Sequence, residues 1–304
     1  MTTQVVECVP NFSEGQDAAV LRALVEVAGG VPGVTLLDWS ADASHNRSVF
    51  TLAGSAQAVA EAAFCLCREA ALRIDLRSHT GEHPRMGATD VVPFVPLRGI
   101  DMAGCIALAK QLGARIWSEL GIPVFLYEMA ASSPQRVNLA EIRQGQFEGM
   151  AAKLKQAEWA PDFGECVPHP TAGVTAVGAR MPLIAFNINL DTDRIDIANA
   201  IAKSVRASSG GLAHCKAIGV LLAPGGGASR GVAQVSMNLT NYEVTSLHCA
   251  FEAVRVEAAR WGVGILGSEI IGLTPAKALA DSAADYLQLE GFDFDTQVLE
   301  QRLD

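Results

Sequence analysis

The chain of 304 residues lacks any apolar run of the length that a membrane helix needs. Its first residues, MTTQVVECVPN, lack the basic and apolar segments of a secretory signal. Its seven cysteines are scattered and odd in number, unlike the cysteines of a disulfide framework. These features predict a soluble protein of the cytoplasm with no membrane partner.

Positive charge is also in short supply. Lysine and arginine number 23 against 33 aspartates and glutamates, which gives a net charge of −10. Such a balance argues against nucleic acid as a partner. Half of the residues are hydrophobic and 18% are charged, which is a globular composition long enough for one large or two medium domains.

Two common kinds of site are missing from the sequence. The glycine-rich stretch at 224–231 lacks the Gly-Lys-Ser/Thr of a phosphate loop, so we predict a hairpin connection there. His79 and His83 are four residues apart but lie among glycine and proline, so they lack the geometry of a helical zinc pair. Cys65 and Cys67 have no second pair and no histidine at ligand spacing. We therefore predict no metal site.

The order of predicted elements repeats along the chain. Strands and helices are predicted from apolar spacing at periods of two and 3.6 residues. The first half has strands at 5–10, 34–38, 47–52 and 91–97 and helices at 16–28 and 56–74, followed by a helix at 101–120 and a strand at 124–127. The second half has strands at 183–190, 216–222, 232–239 and 263–272 and helices at 193–207, 241–261 and 275–288. Both halves give β-α-β-β-α-β, so we predict an α+β fold of two duplicated ferredoxin-like domains, 1–179 and 180–304.

The strand predicted at 232–239 alternates apolar and polar residues. Its polar side chains, Gln234, Ser236 and Asn238, therefore share one face. This face can line a cleft between the halves, where ligands often bind. The alternative is a sheet face open to water, which is common in antiparallel sheets.

The heptapeptide GEHPRMG at 81–87 is the most distinctive part of the sequence. Gly81 and Gly87 permit backbone angles that other residues resist, and Pro84 keeps His83 out of the helical region. A stiff loop therefore presents an imidazole that titrates near neutral pH and, two residues later, the Arg85 guanidinium, which can clamp a carboxylate. This pattern favours proton transfer on a substrate that carries carboxylates. The alternative is a tight turn whose polar side chains face water.

Several stretches together resemble the formiminotransferase family, which includes glutamate formimidoyltransferase and the transferase half of formimidoyltransferase-cyclodeaminase. They are VECVPNFSEG (6–15), NRSVFTLAG (46–54), GEHPRMGATDVVPFVPLRG (81–99), KLKQAEWAPDFG (153–164), LIAFNINL (183–190) and AQVSMNL (233–239). The resemblance implies transfer of a formimidoyl group from N-formimidoyl-L-glutamate to tetrahydrofolate, in histidine degradation. It also implies a folate cleft between two ferredoxin-like subdomains, and a homodimer. No cyclodeaminase domain is expected, because the chain ends where the transferase portion would end.

The resemblance also assigns site residues. The family's catalytic histidine falls on His83, a general acid/base, and no metal is needed because an amidinium is already an electrophile. The expected folate contacts are Gly164, Glu165, Cys166, Val167, Pro168, His169, Pro170, Thr171, Ala172, Gly173, Gly211 and Leu212. Independently of the resemblance, Arg85, Asn46 and Arg47 are our candidates for holding substrate carboxylates or the loop itself. Ser40 stands where family members carry an aspartate that can orient the histidine, so either Asp42 takes that role or the histidine is oriented differently.

Two other functions remain open at this stage. A related folate enzyme that uses N-formylglutamate or 5-formyltetrahydrofolate would have the same fold and the same histidine. A non-catalytic folate-binding protein could use the same scaffold. The intact GEHPRMG loop argues against the second alternative, because a binding protein has no need of a base.

Overall fold

The computed structural model describes residues 4–223 and 231–302. The connection predicted at 224–231 lies outside these residues, apart from Gly231. The chain divides into two compact units, residues 1–180 and 181–304.

The first unit holds a seven-stranded sheet and five helices among its described residues. The strands are β1 (Val5–Cys8), β2 (Asn11–Phe12), β3 (Val34–Asp42), β4 (Arg47–Gly54), β5 (Thr89–Arg98), β6 (Val124–Glu128) and β7 (Thr175–Ala179). The helices are α1 (Ala18–Gly30), α2 (Ala56–Arg73), α3 (Met102–Leu120), α4 (Leu139–Arg143) and α5 (Gln146–Lys153).

The first four long strands of this unit lie in the spatial order β3-β4-β1-β5, and all three pairings are antiparallel. The short β2 lies between β4 and β5 as well. Beyond β5 the sheet continues through β7 to β6, and these two pairings are parallel. The mixed sheet therefore joins an antiparallel half to a parallel extension.

Helix boundaries follow the local sequence. Asp17 caps α1 by accepting hydrogen bonds from the first-turn N–H groups of Ala19 and Val20. Asp101 caps α3 in the same way, and α3 ends at Gly121, which adopts the left-handed conformation with φ 66°. These helices bury one apolar side each, and a fully buried Leu or Phe side chain contributes roughly 1.5–3 kcal/mol.

The second unit holds a four-stranded antiparallel sheet in its described part. The strands are β8 (Ile184–Leu190), β9 (Cys215–Leu222), β10 (Val232–Leu239) and β11 (Ile265–Ile271), in the spatial order β11-β8-β10-β9. The helices are α6 (Ile195–Val205), α7 (Leu247–Arg260), α8 (Ala276–Leu287) and α9 (Phe294–Gln297). By position along the chain, this is the same 4-1-3-2 order that β5, β1, β4 and β3 adopt in the first unit.

The alternation predicted for 232–239 is confirmed. Its apolar side chains are buried, and they are Ala233, Val235, Met237 and Leu239. On the opposite face Gln234 is also buried, and its amide donates to Asn189 at 2.8 Å and to Glu269 at 3.0 Å. The polar face of this sheet is therefore hydrogen-bonded across three strands.

Three sequence predictions were wrong in detail. The strand predicted at 34–38 continues to Asp42. Its polar residues are tolerated because β3 pairs only with β4 among the described strands, and side chains at a sheet edge can face water. Helix α7 begins at Leu247 rather than near 241, because Ser246 caps it, and Val244 is exposed. Strand β7 was missed. Among the residues described, no helix combines the length and the apolarity needed to cross a membrane.

Candidate active site

The loop that carries His83 connects α2 to β5 and is held from two other parts of the first unit. The Glu82 N–H donates to the Ser44 carbonyl at 3.2 Å, which ties the loop to the turn between β3 and β4. The Arg85 carbonyl accepts from the Phe147 N–H at 2.9 Å, which ties it to the first turn of α5. The predicted loop is confirmed, and its backbone is fixed by distant segments.

The end of this loop is also joined to the predicted folate loop. The Val174 N–H donates to the Met86 carbonyl at 3.0 Å, and the Ala88 N–H donates to the Ala172 carbonyl at 3.0 Å. Gly87 and Gly173 face each other in this contact. A Cβ on Gly87 would lie 2.0 Å from the Val174 oxygen, and one on Gly173 would lie 2.2 Å from the Met86 oxygen. Glycine is therefore required on both sides, and the two predicted site loops lie together.

His83 is half-buried, and its Nε2 is buried with no hydrogen-bond partner in the part of the chain that the structure describes. Burial, followed by the positive charges of Arg47, Arg143 and His45, lowers the pKa of His83 to about 3. Both causes disfavour the imidazolium. The ring is therefore neutral at physiological pH, and its Nε2 is left without a hydrogen bond among the described residues.

Arg47 opens β4, is half-buried, and its charge acts on this histidine. One of its Nη2 hydrogens is donated to the Asn11 side-chain oxygen. Burial, followed by the charge of Arg143, lowers the pKa of Arg47. The Nε of Arg47 has no hydrogen-bond partner among residues 4–223 and 231–302.

Arg143 and Asp90 form a second part of the site that the sequence did not reveal. Arg143 ends α4, and its Nη2 pairs with Oδ2 of Asp90, whose side chain is 3% exposed. The other carboxylate oxygen of Asp90 accepts the Met86 N–H at 2.9 Å. One carboxylate therefore holds both the arginine and the loop of His83. The available signal was an aspartate within the otherwise apolar strand TDVVPFVP.

Asn46 holds the loop rather than facing open space. Its backbone is left-handed, with φ 48°, and its side chain is buried. Its side-chain oxygen accepts the Gly15 N–H at 2.8 Å, and its amide donates to the Thr80 carbonyl at 2.8 Å. Of the two roles expected for Asn46, these contacts favour support of the loop.

Arg85 is engaged in the same way. Its Nη1 and Nη2 donate to the two carboxylate oxygens of Glu148 at 2.9 and 2.7 Å, and its Nε donates to His79 Nδ1 at 3.2 Å. His79 Nε2 lies 3.0 Å from the Asn46 carbonyl, so the proton of His79 is on Nε2. Since the fork of Arg85 is occupied by Glu148, these contacts also favour support of the loop.

Asp42 contacts His45 rather than His83. Its carboxylate accepts the His45 N–H at 2.8 Å and lies 3.1 Å from His45 Nδ1. These hydrogen bonds, with the backbone one first, lower the pKa of Asp42. Within the described chain no hydrogen bond or ion pair joins Asp42 to His83, so this geometry gives no support to the expected orienting role.

The segment 164–173 is an ordered loop with an exposed tip. Gly164 adopts φ 117°, and a Cβ there would lie 3.0 Å from Pro123 Cα. His169 and Gly173 exchange backbone hydrogen bonds at 2.9 and 3.0 Å, and His169 Nδ1 accepts the Ala172 N–H at 3.0 Å. Burial lowers the pKa of His169. The exposed residues are Glu165, Cys166, Val167 and Pro170.

Gly211 and Leu212 lie in the second unit, after α6. The Gly211 N–H donates to the Arg206 carbonyl at 3.1 Å, and the Leu212 N–H donates to the Val205 carbonyl at 2.9 Å. A Cβ on Gly211 would lie 2.5 Å from the Val205 oxygen, so this position also requires glycine. Across both described stretches of the chain, no group of three or more His, Cys, Asp or Glu side chains is arranged to hold a metal ion.

Comparison with known proteins identifies the family. The model of the formiminotransferase domain, N-terminal subdomain, matches residues 5–180, and that of the formiminotransferase domain matches residues 185–300. The chain therefore belongs to the formiminotransferase family, and the resemblance read from its motifs is confirmed.

Individual relatives are similar over nearly the whole chain. A glutamate formimidoyltransferase of Streptococcus pyogenes serotype M1 is 59% identical over 300 residues, which are 99% of each chain. A glutamate formimidoyltransferase of Thermoplasma acidophilum is 45% identical and covers 99% of this chain and 97% of its own. The formimidoyltransferase-cyclodeaminase of Rattus norvegicus is 45% identical over 95% of this chain, which corresponds to 53% of the rat protein.

Proposed function

We propose that this chain transfers the formimidoyl group between N-formimidoyl-L-glutamate and tetrahydrofolate, a step of histidine degradation. The products are L-glutamate and 5-formimidoyltetrahydrofolate. Identity of 59% over 300 residues to a protein named glutamate formimidoyltransferase supports this substrate pair. The structural observation that carries the proposal is the neutral His83, with an unbonded ring nitrogen, on a loop joined to the segment 164–173.

The chemistry requires one group that accepts and returns a proton. N5 of tetrahydrofolate attacks the amidine carbon, a C–N bond forms, and His83 takes the proton of N5. The bond from that carbon to the glutamate nitrogen then breaks, and its electron pair stays on the nitrogen. His83 returns the proton to this leaving amine. A positioned acid/base of this kind contributes roughly 10²–10⁴-fold to the rate.

Folate binding follows from the same proposal. The exposed tip of 164–173, with Gly211 and Leu212, contacts the folate in a cleft between two ferredoxin-like subdomains, 1–179 and 180–304. The 4-1-3-2 strand order that occurs in both units supports this duplicated fold. Arg47 binds a substrate carboxylate, and the protein acts as a homodimer in the cytoplasm.

A direct assay tests the proposal. The purified chain is mixed with tetrahydrofolate and N-formimidoyl-L-glutamate, and separately with N-formyl-L-glutamate, and the 5-substituted folate is followed by absorbance or mass. We expect turnover with the formimidoyl donor. In His83→Ala the turnover rate should fall by about 10²-fold or more, while the affinity for folate should be unchanged. His248→Gln changes an imidazole of α7 in the second unit and should keep full activity.

Other outcomes would overturn parts of the proposal. Turnover with the formyl donor alone would change the reaction and keep the histidine. Folate binding without turnover of either donor would contradict the enzyme assignment. Partial recovery of His83→Ala by added imidazole would support the role of proton carrier, since a merely structural ring is not replaced by free imidazole in solution.

A further inference from the structure

Two guanidinium groups beside His83 have unused donors. Arg47 gives one hydrogen bond, to Asn11, and Arg143 gives one, to Asp90. Each guanidinium has five N–H donors. In the part of the chain that the structure describes, Nη1 of neither arginine hydrogen-bonds to protein, and the Nε of both is buried without a partner. Buried polar groups without partners are uncommon and call for an explanation.

Carboxylates balance the two cations only in part: Asp90 and Asp42 act on Arg47 without forming an ion pair with it among the described residues. Arg143 has the carboxylate of Asp90, but no ion pair is formed by Arg47 within the described residues. The two cations are close enough that Arg143 contributes to the lowered pKa of Arg47. Placing two cations close together in a half-buried site is unfavourable, and an anion bound between them offsets their repulsion.

The pair is also held rigidly. Asp90 fixes the Arg143 guanidinium and, through its second oxygen, the Met86 N–H of the loop that carries His83. Asn11 fixes Arg47 from β2. Arginine forks that are held in place bind carboxylates with two parallel hydrogen bonds and little loss of side-chain entropy.

From these contacts we infer that Arg47 and Arg143 form a carboxylate subsite beside His83, which binds the glutamate part of the donor through the unused Nη1 groups. The inference rests on the proposed function for the identity of the donor. Arg143 is the new element of the site, and Asp90 is its positioning residue.

The subsite has a consequence for His83. The charges that act on this ring are those of Arg47, from β4, Arg143, from α4, and His45, from the turn between β3 and β4. A bound carboxylate offsets the two arginine charges, which favours the imidazolium again. Donor binding therefore relieves the part of the lowered His83 pKa that comes from the two arginines, whereas the larger part, which comes from burial, remains.

Substitution of the new arginine tests the subsite. Arg143→Lys keeps a cation for Asp90 but removes the fork. We expect its KM for the donor, and the inhibition constant of glutarate, to rise on the order of tenfold to hundredfold, with an unchanged KM for tetrahydrofolate. Arg115→Lys, which changes an ion-paired arginine of α3 in the same way, should leave all three constants within about twofold.

Other results would overturn the inference. An unchanged donor KM in Arg143→Lys would remove the subsite. A rise in the folate KM alone would assign the carboxylate to the glutamate tail of the folate. Equal rises in both KM values with a lower melting temperature would mean a structural role. If Arg143→Lys does not fold, the same measurements are made on Arg47→Lys, which changes the other arginine of the subsite.

Binding measurements separate this inference from the proposed function. Glutarate titrated into the full chain by calorimetry reads the subsite without any turnover. If the wild type binds glutarate but never uses N-formimidoyl-L-glutamate, the subsite stands and the proposed reaction fails. An NMR titration should also show that glutarate raises the pKa of His83 in the wild type and not in Arg143→Lys. A pKa unchanged by glutarate would contradict the coupling.

Discussion

Acid is expected to destabilise the first unit through His83, and His83→Gln is expected to remove that contribution. The folded chain holds the pKa of this ring at about 3, against 6.5 for an exposed histidine. Between these values the unfolded chain binds a proton that the folded chain does not. Stability from this group is therefore complete above pH 6.5 and is lost as the pH falls toward 3.

The size of the effect at pH 5.5 follows from the unfolded state. Proton binding stabilises the unfolded chain by RT ln(1 + 10^(6.5−5.5)) at pH 5.5. The free energy of unfolding is therefore about 1.4 kcal/mol lower at pH 5.5 than at pH 7.5. The folded ring is almost unprotonated at pH 5.5. Solvent screening of this half-buried group moves its folded pKa toward 6.5, which reduces the figure. This pH also stays above the sequence pI of 5.1, where solubility is lowest.

The assay is urea unfolding at pH 7.5 and 5.5, followed by tryptophan fluorescence. Trp39, Trp117 and Trp159 report on the first unit. The wild type should lose about 1.4 kcal/mol more than His83→Gln between the two pH values, and His248→Gln should behave like the wild type. Equal losses in the wild type and in His83→Gln would refute the reasoning, because the ring would then not be held neutral by the fold.

Two further predictions concern the backbone of the site. Gly173→Ala places a Cβ 2.2 Å from the Met86 oxygen at φ 69°, so the free energy of unfolding in urea should fall by more than about 2 kcal/mol. The control, Gly29→Ala, lies in a helix with open space around it and should raise that free energy by about 0.5–1 kcal/mol. An unchanged free energy of unfolding in Gly173→Ala would contradict the close contact. Asn46→Ala removes two hydrogen bonds at a left-handed position and should lower the free energy of unfolding by about 2–3 kcal/mol in the same assay. Asn46→Gly removes the same hydrogen bonds but tolerates the left-handed backbone. If Asn46→Ala loses no more stability than Asn46→Gly, the left-handed backbone does not contribute.

Much of the fold was readable because its signals are local. Apolar periodicity predicted most of the strands and helices, and Asp17 and Asp101 are ordinary helix caps. The edge strand β3 was the main exception. The sequence predicts a loop for its polar end, because a strand that buries few side chains lacks the alternation of apolar and polar residues.

The site was readable in part. Glycine, proline and histidine within seven residues predicted a stiff loop, and the structure has one. The partners of its charged residues were not readable, because they come from far along the chain. Arg85 meets Glu148, which is 63 residues away, and Asp90 meets Arg143, which is 53 residues away. Spacing in the sequence carries no information about such pairs until the sheet is assembled.

The contact between the two site loops uses only backbone atoms on both sides. Val174, Ala172, Met86 and Ala88 donate or accept through the main chain, and Gly87 and Gly173 must stay glycine. The residues at the tip, 165–170, take no part in that contact. The exposed tip can therefore be redesigned, or can diverge in evolution, while the backbone contact that positions the loop of His83 is inherited unchanged.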